Sequence, residues 1–229
     1  MKQTLALFLL AAAALSAACS NDDNTGLEGQ GRLRIVHVSP DAANLDVVLD
    51  GDTVASDLQY LGSSDYVQLT AGGHVMQISE TNTTLALIDQ DVTVADGADY
   101  TVIVGNTLND IDALVLTDDN RTPPAGTIRV RAVHGAQAAG PVDIYVTDPG
   151  TDLTLTSPVA SNVAFEQALP YVEAIAGTYQ VRVTPTGAKD VIIDSGALRL
   201  ENGQVRIVIA VEALGGGEPF NFLVLNDLN

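Results

Sequence analysis

The chain has 229 residues and is acidic, with 29 aspartate and glutamate residues against 10 lysine and arginine residues and a formal net charge of -19. Because nucleic-acid binding needs clustered basic side chains, this balance argues against a nucleic-acid partner. Hydrophobic residues make up 46% of the chain, too many for a disordered acidic segment, and the single cysteine excludes an intrachain disulfide.

The N-terminal segment 1–18 is typical of an export signal. Lys2 gives it a positive start, and the apolar run 5–15 is shorter than the roughly 20 residues of a membrane-spanning helix. Small residues then lead to Cys19. This pattern resembles a bacterial lipoprotein signal, which implies lipidation of Cys19. Ser20, in place of an aspartate after the cysteine, implies attachment to the outer membrane.

An ordinary secretory signal, cleaved near Ala18, is the alternative, and it would export the protein without a tether. In either case residues 20–30 are polar and rich in Gly, Asn and Asp. We therefore predict a signal peptide over 1–18 and a lipidated cysteine with a flexible tether over 19–30.

The rest of the chain contains an internal repeat. The matched segments are 31–50 with 127–146, 66–78 with 171–183, 97–104 with 203–210, and 115–118 with 224–227. Small shifts in spacing between these matches are what loop insertions produce. We predict a first repeat over 31–121, a linker over 122–126 that contains two prolines, and a second repeat over 127–229.

Each repeat reads as a series of short strands. Leu33, Ile35 and His37 alternate with polar and β-branched residues, and turn pairs such as Asp50-Gly51 separate the apolar runs. No helical stripe follows the signal peptide. The predicted fold class is all-β, with two tandem antiparallel immunoglobulin-like β-sandwich domains.

The segment 36–42, Val-His-Val-Ser-Pro-Asp-Ala, resembles the opening of the repeat in the bacterial domain-of-unknown-function family 4397. An Ala-Gly-Thr-Tyr hairpin at 176–179 and a Thr-Asp-Asp-Asn ending at 117–120 also resemble that family, and the resemblance extends over 31–229. It implies exported, often lipid-anchored β-domains and no catalytic activity. The second repeat reads His-Gly-Ala-Gln-Ala at 134–138, so a site needing Ser39 and Asp41 could exist only in the first.

The histidines favour structural roles. His37 and His134 end matched strands in register with inward-facing residues, and we expect each imidazole to hydrogen-bond a backbone group of the following turn. A metal site would need several convergent ligands, and each repeat offers one histidine there. His74 follows Gly72-Gly73, and we expect it at the surface.

The pair Ser39 and Asp41 lies beside His37, which raises a nucleophile as an alternative. Catalytic triads are assembled from separate elements, however, so we expect both side chains to bond the turn backbone. Phe165, Phe220 and Phe222 are predicted core residues.

Carboxylates offer the better chemical candidates. Asp110, Asp112, Asp118 and Asp119 lie in or near loops, where calcium could take their oxygens, but no cluster fits the EF-hand pattern. The alternative is a solvated acidic face, and we predict no metal site and no cofactor. Glycoside hydrolysis would need aromatic platforms, and the chain has no Trp.

These patterns predict a cell-envelope lipoprotein with a non-catalytic structural or interaction role. Its partners would be the membrane, through the lipid on Cys19, and an envelope protein or a glycan. Two alternatives stay open: a calcium- or carbohydrate-binding adhesion module, and a hydrolase with a carboxylate site.

Overall fold

The structure, a computed structural model, describes residues 29–228. Strands form nearly all of the regular structure there, and the only helices in this range are three short 3₁₀ turns. The all-β prediction is confirmed. None of the helices within this range has the length and apolar character to cross a membrane. The predicted signal peptide, Cys19 and most of the predicted tether lie outside the described residues.

The strands fall into two successive sets. The first set is β1 (Gln30–His37), β2 (Leu45–Leu49), β3 (Asp52–Leu58), β4 (Val67–Thr70), β5 (Gly72–Glu80), β6 (Ala86–Val94), β7 (Asp99–Gly105) and β8 (Asp112–Asp118), with a 3₁₀ helix at Leu108–Asp110. The second set is β9 (Thr127–His134), β10 (Val142–Thr147), β11 (Ala160–Val163), β12 (Val172–Ile175), β13 (Gly177–Pro185), β14 (Ile193–Asp194), β15 (Leu198–Leu200), β16 (Val205–Val211) and β17 (Asn221–Leu228), with 3₁₀ helices at Gln137–Ala139 and Leu153–Leu155.

Both sets form two sheets with the same strand order. The first set gives β4-β1-β7-β8 and β3-β2-β5-β6; the second gives β12-β9-β16-β17 and β11-β10-β13-β14, with β15 also beside β13. The sequence repeat therefore corresponds to a repeat of topology. We call β4-β1-β7-β8 and β12-β9-β16-β17 the inner sheets, and the other two the outer sheets.

One feature of the pairing differs from the antiparallel prediction. β1 pairs in parallel with β7, and β9 pairs in parallel with β16, while the other strand pairs are antiparallel. Parallel neighbours need a long crossover connection, and in each repeat the chain passes through the outer sheet before it returns to the inner one. Local strand patterns do not encode such a return.

Within residues 29–228 the buried side chains form three apolar cores, so the four sheets are stacked as successive layers. The first core lies between the sheets of the first repeat and includes Leu33, Ile35 and Met76, while the third lies in the second repeat. The middle core joins the inner sheets of the two repeats and includes Val36 and Ile209. Because strand side chains alternate between faces, β1 supplies the first core and the middle core at once.

Candidate functional site

A buried polar cluster lies between the two inner sheets. The Arg34 guanidinium lies over the Tyr66 ring, with Cζ 4.8 Å from the ring centroid, and its Nε donates to Thr101 Oγ1 at 2.9 Å. Its Nη2 donates to a carboxylate oxygen of Asp227, which belongs to the second repeat. The two side chains are 5% and 0% exposed, so the ion pair is shielded from solvent.

The second repeat makes the matching contacts in the opposite direction. Arg131 Cζ lies 5.2 Å from the centroid of the Tyr171 ring, and Arg131 Nη1 lies 3.9 Å from Asp118 Oδ1 of the first repeat. The tyrosine hydroxyls donate to the aspartate of their own repeat, Tyr66 to Asp118 at 2.8 Å and Tyr171 to Asp227 at 3.3 Å. We call these six residues the central cluster: Arg34, Tyr66, Asp118, Arg131, Tyr171 and Asp227.

Burial dominates the electrostatics of the central cluster. Desolvation raises the pKa of Asp118 to about 6, against the effect of its hydrogen bonds from Thr101 and Tyr66. Burial also raises the pKa of Asp227, although Arg34 opposes that change. The pKa of Tyr171 is raised mainly by burial and then by Asp118 and Asp227. The aspartate charges are therefore maintained at an energetic cost.

The sequence did not single out five of these six residues, but it contained a signal. Arg34 and Arg131 occupy matched positions in the repeat, and Tyr66 and Tyr171 open the next matched segment. Asp118 and Asp227 close the last one. Polar residues that recur on predicted strands at matched positions indicated a shared structural role.

A polar depression of about 450 Å³ lies beside the central cluster. On one wall Arg32 forms a two-bond ion pair with Asp99, with Nε and Nη2 at 2.7 and 2.6 Å from the carboxylate oxygens. Asn120 Nδ2 donates to Asp99 Oδ2 at 2.8 Å and to Tyr66 Oη at 3.2 Å. Asn120 thereby connects the depression with the central cluster.

The other wall contains Asp119, which two arginines hold. Arg121 donates to both carboxylate oxygens of Asp119, and Arg129 Nη1 donates to Oδ1 at 3.1 Å. The hydrogen bond from Arg121 lowers the pKa of Asp119 to about 2. Asp118, Asp119 and Asn120 thus line the depression with side chains that already have hydrogen-bond partners.

The four carboxylates considered as calcium ligands are not brought together. Asp118 and Asp119 lie at the end of β8, whereas Asp112 begins that strand and Asp110 precedes it. From the rise per residue of a strand, the two ends of β8 are on the order of 20 Å apart. Residues 29–228 contain no group of three or more His, Cys, Asp or Glu side chains arranged to hold a metal ion.

Asp112 instead contacts a carboxyl group of the second repeat. Burial first, and then the hydrogen bond and charge of Asp112, raise the pKa of Glu166 to about 7. Glu166 has a left-handed backbone with φ of 63°. Two carboxyl groups that form a hydrogen bond with each other share a proton more readily than they both ionise. The pair marks a second ionisable contact between the repeats.

His37 and His134 have the expected structural role. His37 Nε2 is 3.1 Å from the Ala43 carbonyl oxygen, and its Nδ1 accepts from the Ser39 amide at 3.3 Å. His134 makes the same two contacts, to the Gly140 carbonyl at 2.7 Å and the Ala136 amide at 3.4 Å. Burial lowers the pKa of both imidazoles, so each is a neutral brace for the loop after its strand.

The surface prediction for His74 is wrong, since its side chain is buried. His74 faces inward with Met76 and Ile78 on β5, and its ring nitrogens lie 2.6 Å from Asp50 Oδ2 and 2.8 Å from the Thr70 carbonyl. The bond to Asp50 raises the pKa of His74. The alternation of side chains along β5 therefore determines that His74 is buried, although two glycines precede it.

The remaining candidates have structural positions. The prediction that Ser39 and Asp41 bond their own turn is wrong: Asp41 Oδ1 accepts from the Leu108 amide of another loop at 2.7 Å, and the fully buried Ser39 Oγ has no hydrogen-bond partner among the described residues. The Ser39 amide occupies His37 Nδ1, so this nitrogen is not available as a base for the hydroxyl. The predicted core phenylalanines are half-buried: Phe220 and Phe222 pack against the third core, and Phe165 packs edge-on against His134.

Sequence reasoning also missed Glu212, a buried acid directly after β16. One carboxylate oxygen accepts from the Ala138 amide at 2.8 Å and the other from the Gly217 amide at 2.5 Å. Its carbonyl accepts from the Tyr60 hydroxyl of the first repeat at 2.8 Å. In the sequence, Glu212 could have been noticed as a single acidic residue at the end of an apolar strand. In the structure it holds loops of both repeats in place.

The fold and the central cluster together define the class of this protein. It is an all-β protein of stacked sheets, and its buried ionisable groups join strands, loops and the two repeats. The sequence profile of the domain of unknown function DUF4397 matches residues 31–145. The chain belongs to the DUF4397 family, as its resemblance to family 4397 predicted. The match covers half of the chain and ends within β10 of the second repeat.

A comparison with curated proteins found no match. Among solved structures, the chain is 18% identical to a leucine-rich repeat protein from Bacteroides thetaiotaomicron, with 81% of this chain and only 26% of that one covered and a TM-score of 0.21. A family 41 carbohydrate-binding module from streptococcal virulence factors, which recognises α-glucan, gives 12% identity, coverage of 84% and 96%, and a TM-score of 0.28. A family 26 carbohydrate-binding module from Eubacterium rectale, in complex with maltoheptaose, gives 8% identity, coverage of 86% of this chain and 98% of that one, and a TM-score of 0.25. At these TM-scores nothing about the ligand of this chain follows.

Proposed function

We propose that this protein is an exported, lipid-anchored module of the bacterial cell envelope with a non-catalytic structural or interaction role. The observation that carries the proposal is the use of the buried ionisable groups. His37 and His134 brace loops, Glu212 fixes three segments, and the central cluster joins the inner sheets. These groups act on the fold itself, as expected of a rigid support.

The anchor is tested by changing the predicted lipidation site. In the Cys19→Ala variant the protein should move from the membrane fraction to the soluble exported fraction. The matched control is Ser20→Ala, which keeps the cysteine and should stay with the membrane. A Cys19→Ala variant that remains membrane-bound like the parent would overturn the lipoprotein assignment.

The outer-membrane destination has a separate test. Ser20→Asp keeps the lipidation site but introduces the residue associated with retention at the inner membrane. The variant should shift from the outer-membrane to the inner-membrane fraction on a density gradient. An unchanged distribution would remove the outer membrane from the proposal and leave the anchor itself intact.

The polar depression is the surface we assign to an interaction with an envelope protein or glycan. Its rim presents Arg121, whose side chain is 82% exposed, and Arg32, which is half exposed. The test compares binding of purified outer-membrane glycans to the parent, Arg121→Ala and Arg199→Ala. Arg199 is equally exposed and lies outside the depression. Loss of binding only in Arg121→Ala would support a glycan site there, and equal retention by both would exclude it.

A further inference from the structure

We infer that each repeat carries a self-complementary docking surface, whose partner is a second repeat with the same three polar residues, and that this surface holds the repeats together without the linker. The surface consists of the arginine, tyrosine and aspartate of the central cluster with the apolar residues of the middle core around them. This inference concerns the assembly of the protein and is independent of the proposed envelope function.

The polar contacts are reciprocal. Arg34 of the first repeat binds Asp227 of the second, and Arg131 of the second approaches Asp118 of the first. In a contact related by two-fold symmetry, residue i of one unit contacts residue j of the other, and the reverse contact also forms. The two repeats meet in this way, as two subunits of a symmetric dimer do.

The apolar part of the contact is shared between the repeats in the same way. Val36, Val38, Ile103 and Leu116 come from the first repeat, and Val133, Ile207, Ile209, Val211 and Leu225 come from the second. Eight of these nine residues are at most 4% exposed. An apolar core with charged pairs at fixed positions gives both affinity and a single orientation.

The orientation follows from the strand directions. Arg129, near the start of β9, contacts Asp119 directly after β8, and Asp118 at the end of β8 pairs with Asp99 at the start of β7. β7 runs parallel to β1. The two leading strands, β1 and β9, therefore start at the same end of the molecule, which a two-fold axis along the strands would require.

The connection between the repeats is short and has its own contacts. Residues 119–126 join β8 to β9, and the Gly126 amide donates to Asn202 Oδ1 at 2.5 Å. A tether of this kind raises the effective concentration of the two surfaces. The contacts of the middle core come from residues outside it, and its bond to the central cluster, from Asn120 Nδ2 to Tyr66 Oη at 3.2 Å, stays within one fragment when the chain is cut after Arg121. Its cleavage should therefore leave those contacts in place.

The experiment uses the full exported chain with the recognition site of a sequence-specific protease inserted between Arg121 and Thr122, both exposed. After complete cleavage, the two fragments should elute together in size-exclusion chromatography and appear as a 1:1 complex in native mass spectrometry. Fragments that separate under native conditions would overturn the inference.

Substitutions in the cleaved protein test the reciprocal arginine–aspartate contacts. Asp227→Asn and Arg34→Ala should each raise the dissociation constant of the fragments about tenfold or more, because each leaves a buried charge without its partner. Arg199→Ala, at an exposed ion pair with Glu201, should leave it unchanged. Circular dichroism before cleavage verifies that each variant is folded.

The variants separate two explanations of a stable complex. If Asp227→Asn and Arg34→Ala, both folded, dissociate like the parent, the apolar faces alone hold the repeats and the polar residues do not select the partner. That result would refute the assigned recognition role. Should a variant fail to fold before cleavage, Tyr171→Phe, which removes only a hydroxyl bonded to Asp227, replaces it and should weaken the complex measurably.

Discussion

Arg34 and Asp227 are 193 positions apart in the chain and form an ion pair between the inner sheets, with side chains 5% and 0% exposed. Buried pairs of this kind add little net stability over well-packed apolar residues, but removing one partner leaves a buried charge. The pair therefore fixes how the two repeats meet more than it stabilises either one.

Removing one partner of this pair should destabilise the protein strongly. We expect Arg34→Ala to lower the free energy of unfolding by about 3 kcal/mol, since Asp227 keeps its charge in a desolvated site. Urea denaturation measures the change. Arg199→Ala, at an exposed ion pair, is the control and should cost at most about 1 kcal/mol. The double variant Arg34→Met with Asp227→Leu should recover most of the loss, and a double variant as unstable as Arg34→Ala would contradict this account.

Asp118 should make stability depend on pH in an unusual direction. Its pKa of about 6 in the folded protein exceeds the value of 3.8 in the unfolded chain, so the folded state binds the proton more tightly. Its contribution to stability is therefore greatest below pH 4 and is lost as the pH rises through 6. The shift corresponds to a loss on the order of 3 kcal/mol at pH 7.

Asp118→Asn cannot titrate, so the difference in unfolding free energy between parent and variant isolates this contribution. We expect that difference to change by most of this amount between pH 4 and 7. Asp110→Asn, at an exposed residue of the 3₁₀ helix, serves as the control. A difference that stays constant over this range would show that Asp118 ionises as an ordinary aspartate.

Glu166 should titrate near neutral pH because it is partly desolvated and lies against Asp112. Carbon-detected NMR of the side-chain carboxyl group should give a midpoint at about pH 7. In Asp112→Asn the midpoint should move toward the usual glutamate range near 4.3 but stay above it, because burial is the larger cause. A midpoint that Asp112→Asn leaves unchanged would mean that the two carboxyl groups do not interact.

The two matched histidines should contribute equally to stability. His37→Ala and His134→Ala each remove a buried ring and leave a carbonyl and the amide of a buried residue, Ser39 or Ala136, without the ring as partner, so each should cost about 2–4 kcal/mol. Thermal and chemical unfolding provide the measurement. His37→Gln, which retains a donor and an acceptor, should lose less. If both alanine variants unfold like the parent, the bracing role is wrong.

Calcium should have little effect on the described part of the chain. Asp118 and Asp119 are engaged by tyrosine, threonine and arginine donors, and Asp110 and Asp112 lie at the other end of β8. A ligand stabilises a protein only when it binds the native state. We expect the melting temperature in millimolar calcium to match that in chelator within about 1 °C. A clear rise would favour the adhesion-module alternative.

Several features were accessible from the sequence because they depend on local pattern. Alternation along β1 indicated that Leu33, Ile35 and His37 face inward, and the structure places Leu33 and Ile35 in the first core and buries His37. Matching of His37 with His134 indicated a shared role, and both make the same two backbone contacts. The prediction for His74 was wrong because it gave the preceding glycines, Gly72 and Gly73, more weight than the alternation of side chains along β5.

Other features depend on contacts between residues far apart in the chain. Nothing in the pattern around Arg34 specifies Asp227 as its partner, because the partner is set by how two sheets stack. The parallel pairing of β1 with β7 is likewise decided by a crossover through another sheet. Lipidation of Cys19 and the outer-membrane destination stay predictions that only experiments on the exported protein test.

The sequence by itself determined the all-β class, the repeat, and the family, since strand alternation, turns and matched segments are written in neighbouring residues. Only the tertiary structure decided that the two repeats share a middle core and exchange arginine–aspartate contacts. The physical reason is that desolvation and ion pairing depend on which surfaces exclude water together. That arrangement arises from the packing of whole sheets, and the spacing of residues along one strand does not encode it.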